Sequence, residues 1–333
     1  MKKEFLPGWI LMLGIGLVSM FLSKLIVIGG KNPIESVVIA IILGILFRNS
    51  GLLPRIFLPG IKAFEKILIL GIVLIGASLN FQTIGSQGVK MLAIILTTMI
   101  VSFFVIYVLG KIFQLPTALA LLLSVGTTIC GGSAIAVTAP LIKAKEEETS
   151  YAIGTIALWG FVAILLYPKI AQVLAVTDVN FGVFAGTAIH STPQVVGAGF
   201  IFSDLAGKTA TAVKLVRNCF MVPLAFLIAI WYSHILNDKN YEGTRVNVVK
   251  AFPWFLFGYF LLAGLNTLGY FSAEGIKAFN TGGKFLILLG LAGIGLNTVF
   301  STFKKVGLKP LLVGFFGALV VAGCSILMIG LLI

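Results

Sequence analysis

The sequence predicts an all-α polytopic membrane protein of about eleven transmembrane segments, with inverted repeats and discontinuous helices. Three observations carry that expectation. Of 333 residues, 59% are hydrophobic and only 11% charged, and the mean hydropathy is +1.11; a soluble domain carries about a quarter charged residues. The apolar residues gather into runs close to the roughly 20 residues that span hydrocarbon. Two of those runs are interrupted, by T-T-I-C-G-G-S (Thr127 to Ser133) and by A-I-H-S-T-P-Q (Ala188 to Gln194). Irregular backbone survives at membrane depth only inside protein or beside a watery cavity, and in transporters it marks the solute site.

The segments run roughly over 9–29, 34–47, 64–80, 91–113, 117–142, 150–175, 181–203, 209–233, 251–270, 284–299 and 310–332. The first follows Lys2 and Lys3 as a signal peptide would, but it has no small-residue cleavage site and is long enough to span, so it is expected to stay as a helix. The longest polar connector is His234 to Lys250, too short for a soluble domain, so residues 1–333 form one transmembrane transporter domain. Counting Lys and Arg in alternate connections puts fourteen on the N-terminal side and eight on the other, with Lys214 and Arg217 set aside. The excess of positive charge places the N-terminus in the cytoplasm.

An internal echo links the third and tenth segments. K-I-L-I-L-G from Lys66 ends in G-A-S-L-N at Asn80, and K-F-L-I-L-L-G from Lys284 ends in G-I-G-L-N at Asn297. An odd separation in the count makes the two cross in opposite directions, the mark of an inverted repeat.

Composition also excludes function classes. A net charge of +13 suggests nucleic acid in a soluble protein, but here the basic residues sit between apolar runs without a stripe or aromatic partner. Three cysteines, Cys130, Cys219 and Cys324, form neither a disulfide framework nor a metal pattern. With no H-E-x-x-H, G-x-x-x-x-G-K-[ST] or G-x-S-x-G, nothing supports an enzyme, a cofactor or ATP-driven pumping.

The chemistry is therefore sought in the breaks. Gly131 and Gly132 weaken the first helix, and Ser133 is placed to cap a half-helix from Ala134 to Ile142 whose free N–H groups and positive dipole end suit an anion. Thr127, Thr128 and Ser133 add hydroxyls; the plainer alternative is a face of small residues for helix packing. In the second break, Ser191-Thr192-Pro193-Gln194 has capping-box spacing with proline in the first turn, so one helix ends near His190 and another starts near Thr192. His190 can bind solute, carry a proton or satisfy a backbone carbonyl. Lys214 and Arg217, three apart on one helical face, either snorkel to the interface or neutralise an anion in the cavity. Glu146, Glu147 and Glu148 read as a solvated face, while Asn80 and Asn297 line the core or cap helices.

T-I-C-G-G-S-A-I-A-V-T-A-P-L-I-K-A-K-E-E-E (Thr128 to Glu148), Y-A-I-G (Tyr151 to Gly154), Tyr167-Pro168, I-H-S-T-P-Q-V-V-G-A-G (Ile189 to Gly199) and A-T-A-V-K-L-V-R (Ala210 to Arg217) resemble the YeiH-like family of bacterial inner-membrane proteins, labelled sulfate exporters. The resemblance covers nearly the whole chain. It implies a distant kinship with the cation/proton antiporter and anion transporter superfamily, with inverted repeats and crossed broken helices. The resemblance implies that many relatives carry an acidic residue where Ser191 stands and alanine where Pro193 stands, so coupling of a proton or cation through a carboxylate at this position is not expected. The superfamily pattern also implies a broken tenth segment near Gly290 to Asn297, whereas the echo pairs the third with the tenth.

The resulting expectation is a secondary transporter of a small anion, sulfate or a sulfonate, working by alternating access in the bacterial inner membrane. Its solute would be held by Thr127, Thr128, Gly131, Gly132, Ser133, His190, Ser191, Thr192, Gln194, Lys214 and Arg217. Its partners would be that solute and the lipid bilayer, with a homodimer among the arrangements open to it. A passive anion channel and a membrane subunit or sensor without transport are the alternatives. Saturation and counterflow separate the first from a carrier, and alternating accessibility of the breaks separates the second.

Overall fold

The computed structural model describes residues 3–25, 36–80, 88–236, 254–301 and 307–333. Most of the connector His234 to Lys250, together with Lys2, Lys31, Lys304 and Lys305 from the orientation count, lies outside them. Among the described residues the α-elements are all there is of regular structure beyond two short 3-10 turns: α1 (Leu6–Leu25), α2 (Ser36–Asn49), α3 (Leu58–Lys62), α4 (Phe64–Gly76), α5 (Gly88–Ile112), α6 (Thr117–Thr128), α7 (Gly132–Leu141), α8 (Glu146–Val173), α9 (Asp178–Ala188), α10 (Thr192–Phe202), α11 (Asp204–Cys219), α12 (Met221–Leu236), α13 (Phe255–Thr267), α14 (Ala273–Asn297) and α15 (Leu308–Leu332). Each predicted segment coincides with a helix or a pair of helices. Among the described residues, five helices are long and apolar enough to cross a membrane unaided, and a sixth crossing arises if α11 and α12, bent by 41°, count as one. The protein is polytopic.

The chain divides into two compact units. One comprises Met1–Ser86 and Trp254–Ser301, the other Gln87–Pro253 and Thr302–Ile333. In the first unit α14 is the central helix, packed on α4, α2 and α1. Phe64 lies against Gly293, Leu68 against Gly290 and Ile75 against Gly283, so α4 and α14, the two echoing segments, run antiparallel. Their backbones nearly touch: a Cβ on Gly71 would stand 2.8 Å from Gly283 O, and one on Gly283 would stand 2.9 Å from Gly71 O. Asn297 ends α14 by donating to Ile61 O at 2.8 Å and Gly293 O at 2.9 Å, a helix-end role. α14 continues unbroken through Gly290 to Asn297, so the broken tenth segment implied by the superfamily pattern is absent. The reason is local. Gly290 and Gly293 admit Leu68 and Phe64 to the helix surface without interrupting the backbone.

In the second unit both predicted breaks are real, but neither pair of half-helices continues straight. The rings of Phe181, in the first turn of α9, and Phe202, the last residue of α10, stack at 4.2 Å. A straight span would hold them about 30 Å apart. Gly182 and Gly199 both abut the same turn of α11, at Ala206. So α9 enters, α10 returns, and the segment expected to cross at 181–203 is a re-entrant hairpin with its tip at Ile189 to Ser191.

The segment 117–142 folds back likewise. A Cβ on Gly126 would meet Ile135 Cδ1 at 2.7 Å across the break, and Leu141 clusters with Ala225 of α12. The first limb starts beside the end of α5, where Lys111 Nζ donates to Thr117 Oγ1 at 3.0 Å. α5 and α12 lie side by side, with Phe103, Phe104 and Tyr107 around Trp231. The two hairpins enter from opposite ends of the α11–α12 rod, and their tips meet: a Cβ on Gly131 would lie 3.1 Å from Ser191 Cβ. α8 runs past both tips, and Glu146 to Glu148 open it, with Glu148 Oε2 accepting from Lys145 N–H at 2.9 Å.

Neighbouring glycines of α14 give a test of the first unit. Gly283 meets backbone, whereas a Cβ on Gly282 meets nothing within 4 Å. Gly283→Ala is expected to destabilise by roughly 1–3 kcal/mol through overpacking, and Gly282→Ala to be neutral or to stabilise by up to about 1 kcal/mol through helix propensity. Thermal unfolding midpoints of the two variants check this; equal midpoints would contradict the close approach of α4 and α14.

Candidate functional site

An α-helix leaves its last four carbonyls without intrahelical partners, and an unpaired one in a dry interior costs about 1–3 kcal/mol. The first hairpin has this difficulty at the end of α6. Ile129 N–H bonds to Val125 O at 3.0 Å, and Gly131 N–H closes the turn on Gly126 O at 2.9 Å. Gly131 takes φ +69° and ψ −130°, backbone that only glycine adopts without strain. The carbonyls of Thr127, Thr128 and Ile129 remain. The second hairpin leaves those of Gly186, Thr187, Ile189 and His190.

Lys214 and Arg217 of α11 answer both sets. Arg217 donates through Nη2 to Thr127 O at 2.8 Å, through Nε to Thr128 O at 2.5 Å, and through Nη1 to Gly186, Thr187 and Ile189 O at 3.1, 2.7 and 3.2 Å. Lys214 Nζ donates to Ile129 O at 2.8 Å, Ile189 O at 3.1 Å and His190 O. Their exposures are 0% and 1%, so neither side chain snorkels. Each cation bonds to both hairpins. They sit at the negative ends of two half-helix dipoles, where positive charge is favoured, and the guanidinium fork serves carbonyls from two directions. All eight of these bonds end on backbone oxygen, a different use from the direct grip on a solute expected of Lys214 and Arg217.

The helix starts face the other way chemically. α7 begins at Gly132 with Gly131 as its cap, two residues before the expected start. Ser133 is therefore not the cap; it lies in the first turn and is exposed. A Cβ on Gly132 would meet nothing within 4 Å. At the start of α10, Pro193 occupies the first turn, and Gln194 Oε1 accepts from Ser191 N–H at 3.3 Å, as the capping-box spacing anticipates. Ser191 and Thr192 are half-buried. Asn218 Nδ2 donates to Thr192 Oγ1 at 3.0 Å.

The remaining expected residues divide. Thr128 Oγ1 donates back to Ser124 O at 2.6 Å and so serves its own helix. Gln194 Nε2 reaches Ala157 O at 3.4 Å over Gly160, which ties this side chain to α8. Thr127 Oγ1 and both ring nitrogens of His190 are buried and have no hydrogen-bond partner among the described residues. Cys130 Sγ lies 3.2 Å from Met221 Sδ at the bend of the rod, a packing contact. Two participants escaped the sequence reading. Asn218, adjacent to Arg217 in an apolar context, was legible as a polar residue in a span. Ser325 of α15, whose Oγ is 2.6 Å from Thr187 Oγ1, gave no such signal.

A family profile described as "Conserved hypothetical protein 698" matches residues 7–314. A Clostridium tetani protein described as a UPF0324 membrane protein is 30% identical over 336 residues, 98% of this chain and 96% of the relative. A Streptococcus agalactiae protein of the same description is 34% identical over 322 residues, covering 94% and 93%. One from Bacillus cereus is 33% identical over 288 residues, covering 86% and 84%.

Arg217→Lys keeps a charge but offers three donors where five carbonyl contacts exist. It is expected to cost roughly 2–4 kcal/mol from stranded carbonyls, with faster amide exchange in both hairpin tips. Exchange confined to one tip, or a loss below about 0.5 kcal/mol, would contradict the shared clamp.

Proposed function

We propose, from the fact that this chain belongs to the Conserved hypothetical protein 698 family of UPF0324 membrane proteins, which corresponds to the YeiH-like family, that it is a secondary transporter moving a small oxyanion or sulfonate by alternating access. The observation that carries the reading is the meeting of two re-entrant hairpin tips, with helix starts open and helix ends sealed by buried cations. Each helix start contributes about half a positive charge and each end about half a negative one. The four cancel, and Lys214 and Arg217 leave the junction with about two positive charges. Neither tip sequence, 124–135 or 186–197, contains a carboxylate to offset them. That balance suits a divalent oxyanion, which free backbone N–H groups at a helix start bind well.

In this reading the solute rests against Gly132, Ser133, Ser191 and Thr192, with Asn218 holding the Thr192 hydroxyl. Lys214 and Arg217 supply long-range positive potential and keep the tips shaped. Alternating access then exposes the tip junction first to one side of the membrane and then to the other. Close contact of Gly131 with Ser191 favours a carrier over an open channel.

The hairpins also bear on orientation. If the fifth and seventh segments return instead of crossing, Lys143 and Lys145 move to the N-terminal side and Lys169 to the other. The Lys and Arg count becomes fifteen against seven, a stronger bias for a cytoplasmic N-terminus in a bacterial inner membrane.

Ligand binding to the folded form raises stability, by about 2.7 kcal/mol at a hundredfold excess over Kd. Sulfate, selenate or methanesulfonate is expected to raise the unfolding midpoint of the purified protein where gluconate does not. Gly132→Leu, which places its side chain in open space, is expected to leave the ligand-free midpoint nearly unchanged and to abolish the oxyanion shift. An undiminished shift in that variant, or none in the native protein, would remove the tip junction as the solute site.

A further inference from the structure

The Lys214 ammonium has an oxygen environment of an unusual kind. Its three donors meet three backbone carbonyls, those of Ile129, Ile189 and His190, contributed by both hairpin tips. No side-chain acceptor and no carboxylate takes part in those bonds. Backbone carbonyls converging on one point are what oxygen-loving monovalent cations bind, as in potassium-selective filters. Lysine's ammonium is a compact point charge with three donors, so it can stand in for such an ion. The side chain is 0% exposed and reaches the carbonyls from α11, a helix that belongs to neither hairpin.

We propose that the Lys214 ammonium is a tethered cation occupying an alkali-cation site formed by the two tips, so that the junction is held together without bound Na⁺ or K⁺. A protein lacking this side chain would collect the cation from solution: the carbonyls of Ile129, Ile189 and His190 would retain their inward negative ends, and a small monovalent cation would fit between them. The consequence for transport, that anion movement has no obligatory alkali-cation partner at this position, rests on the transporter reading given above. The cation site itself rests only on the tip geometry.

Lys214→Ala and Lys214→Met test the site in the purified full-length chain. Unfolding midpoints are measured in NaCl, KCl, methylammonium chloride and choline chloride at equal ionic strength. The native protein is expected to show the same midpoint in all four salts. Both variants are expected to be destabilised in choline and to recover several degrees, saturably, in at least one of the three small cations. A native midpoint raised selectively by Na⁺ or K⁺ would overturn the proposal, as would variants indifferent to the cation. Failure of both variants to fold in every salt would count against it too, because an external cation must be able to replace the ammonium. The readout is unfolding, not flux, so it decides the cation site whether or not the protein carries anions.

Discussion

Two buried cations donating to the carbonyls of two broken helices are the constraint on which the second unit depends. A helix that stops inside an apolar interior leaves oxygen atoms that neither lipid nor packed side chains can satisfy. Here two such helix ends are brought to one place, and α11 supplies both remedies from one face, with Lys214 and Arg217 one turn apart. Burying either charge alone would cost several kcal/mol. Eight contacts to carbonyl oxygen offset that cost. Neither feature is stable without the other: the breaks need the cations, and the cations need the breaks.

That mutual dependence separates the two ends of each hairpin tip. Helix ends are buried, with the Thr127, Thr128, Gly186 and Thr187 carbonyls accepting from Arg217, while helix starts at Gly132 and Thr192 are open or half-buried. Positive charge held behind the tips faces no acidic residue in either tip sequence. In the proposed reading, an anion would meet backbone N–H groups in front and an attractive potential from behind, without displacing the bonds that shape the tips. Thr127 and His190, buried at the same junction with unpartnered polar atoms, lie where a rearrangement of the tips would be felt first.

Much of this was written in local sequence. Apolar runs, the glycine pair at 131 and 132, the S-x-x-Q capping signal and the proline at 193 are short-range features, and each turned up where its local chemistry requires. The direction taken after each break was not legible, because three irregular residues look alike whether the chain continues or returns. Return is decided by tertiary contacts: Phe181 on Phe202, Gly126 against Ile135, and both limbs of the second hairpin on one turn of α11. The same holds for Lys214 and Arg217. Their presence in a span was obvious, but their acceptors are backbone groups 85 to 90 residues away in the first tip and 24 to 31 residues away in the second. Orphan-carbonyl counting at the two breaks would have pointed there, since these are the two cations within the neighbouring span. Ser133 lost its capping role because glycine at positive φ starts the helix earlier. The tenth segment stayed whole because its glycines serve close packing against α4.

The most direct test of the central claim is whether the second broken segment turns back. With Cys130, Cys219 and Cys324 replaced, cysteines at Phe181 and Phe202 can be cross-linked in native membranes and the peptides identified by mass spectrometry. A re-entrant hairpin predicts an efficient intrachain link between the two positions. Two thiols that each react singly yet never join, as in a straight span holding them about 30 Å apart, would contradict the account.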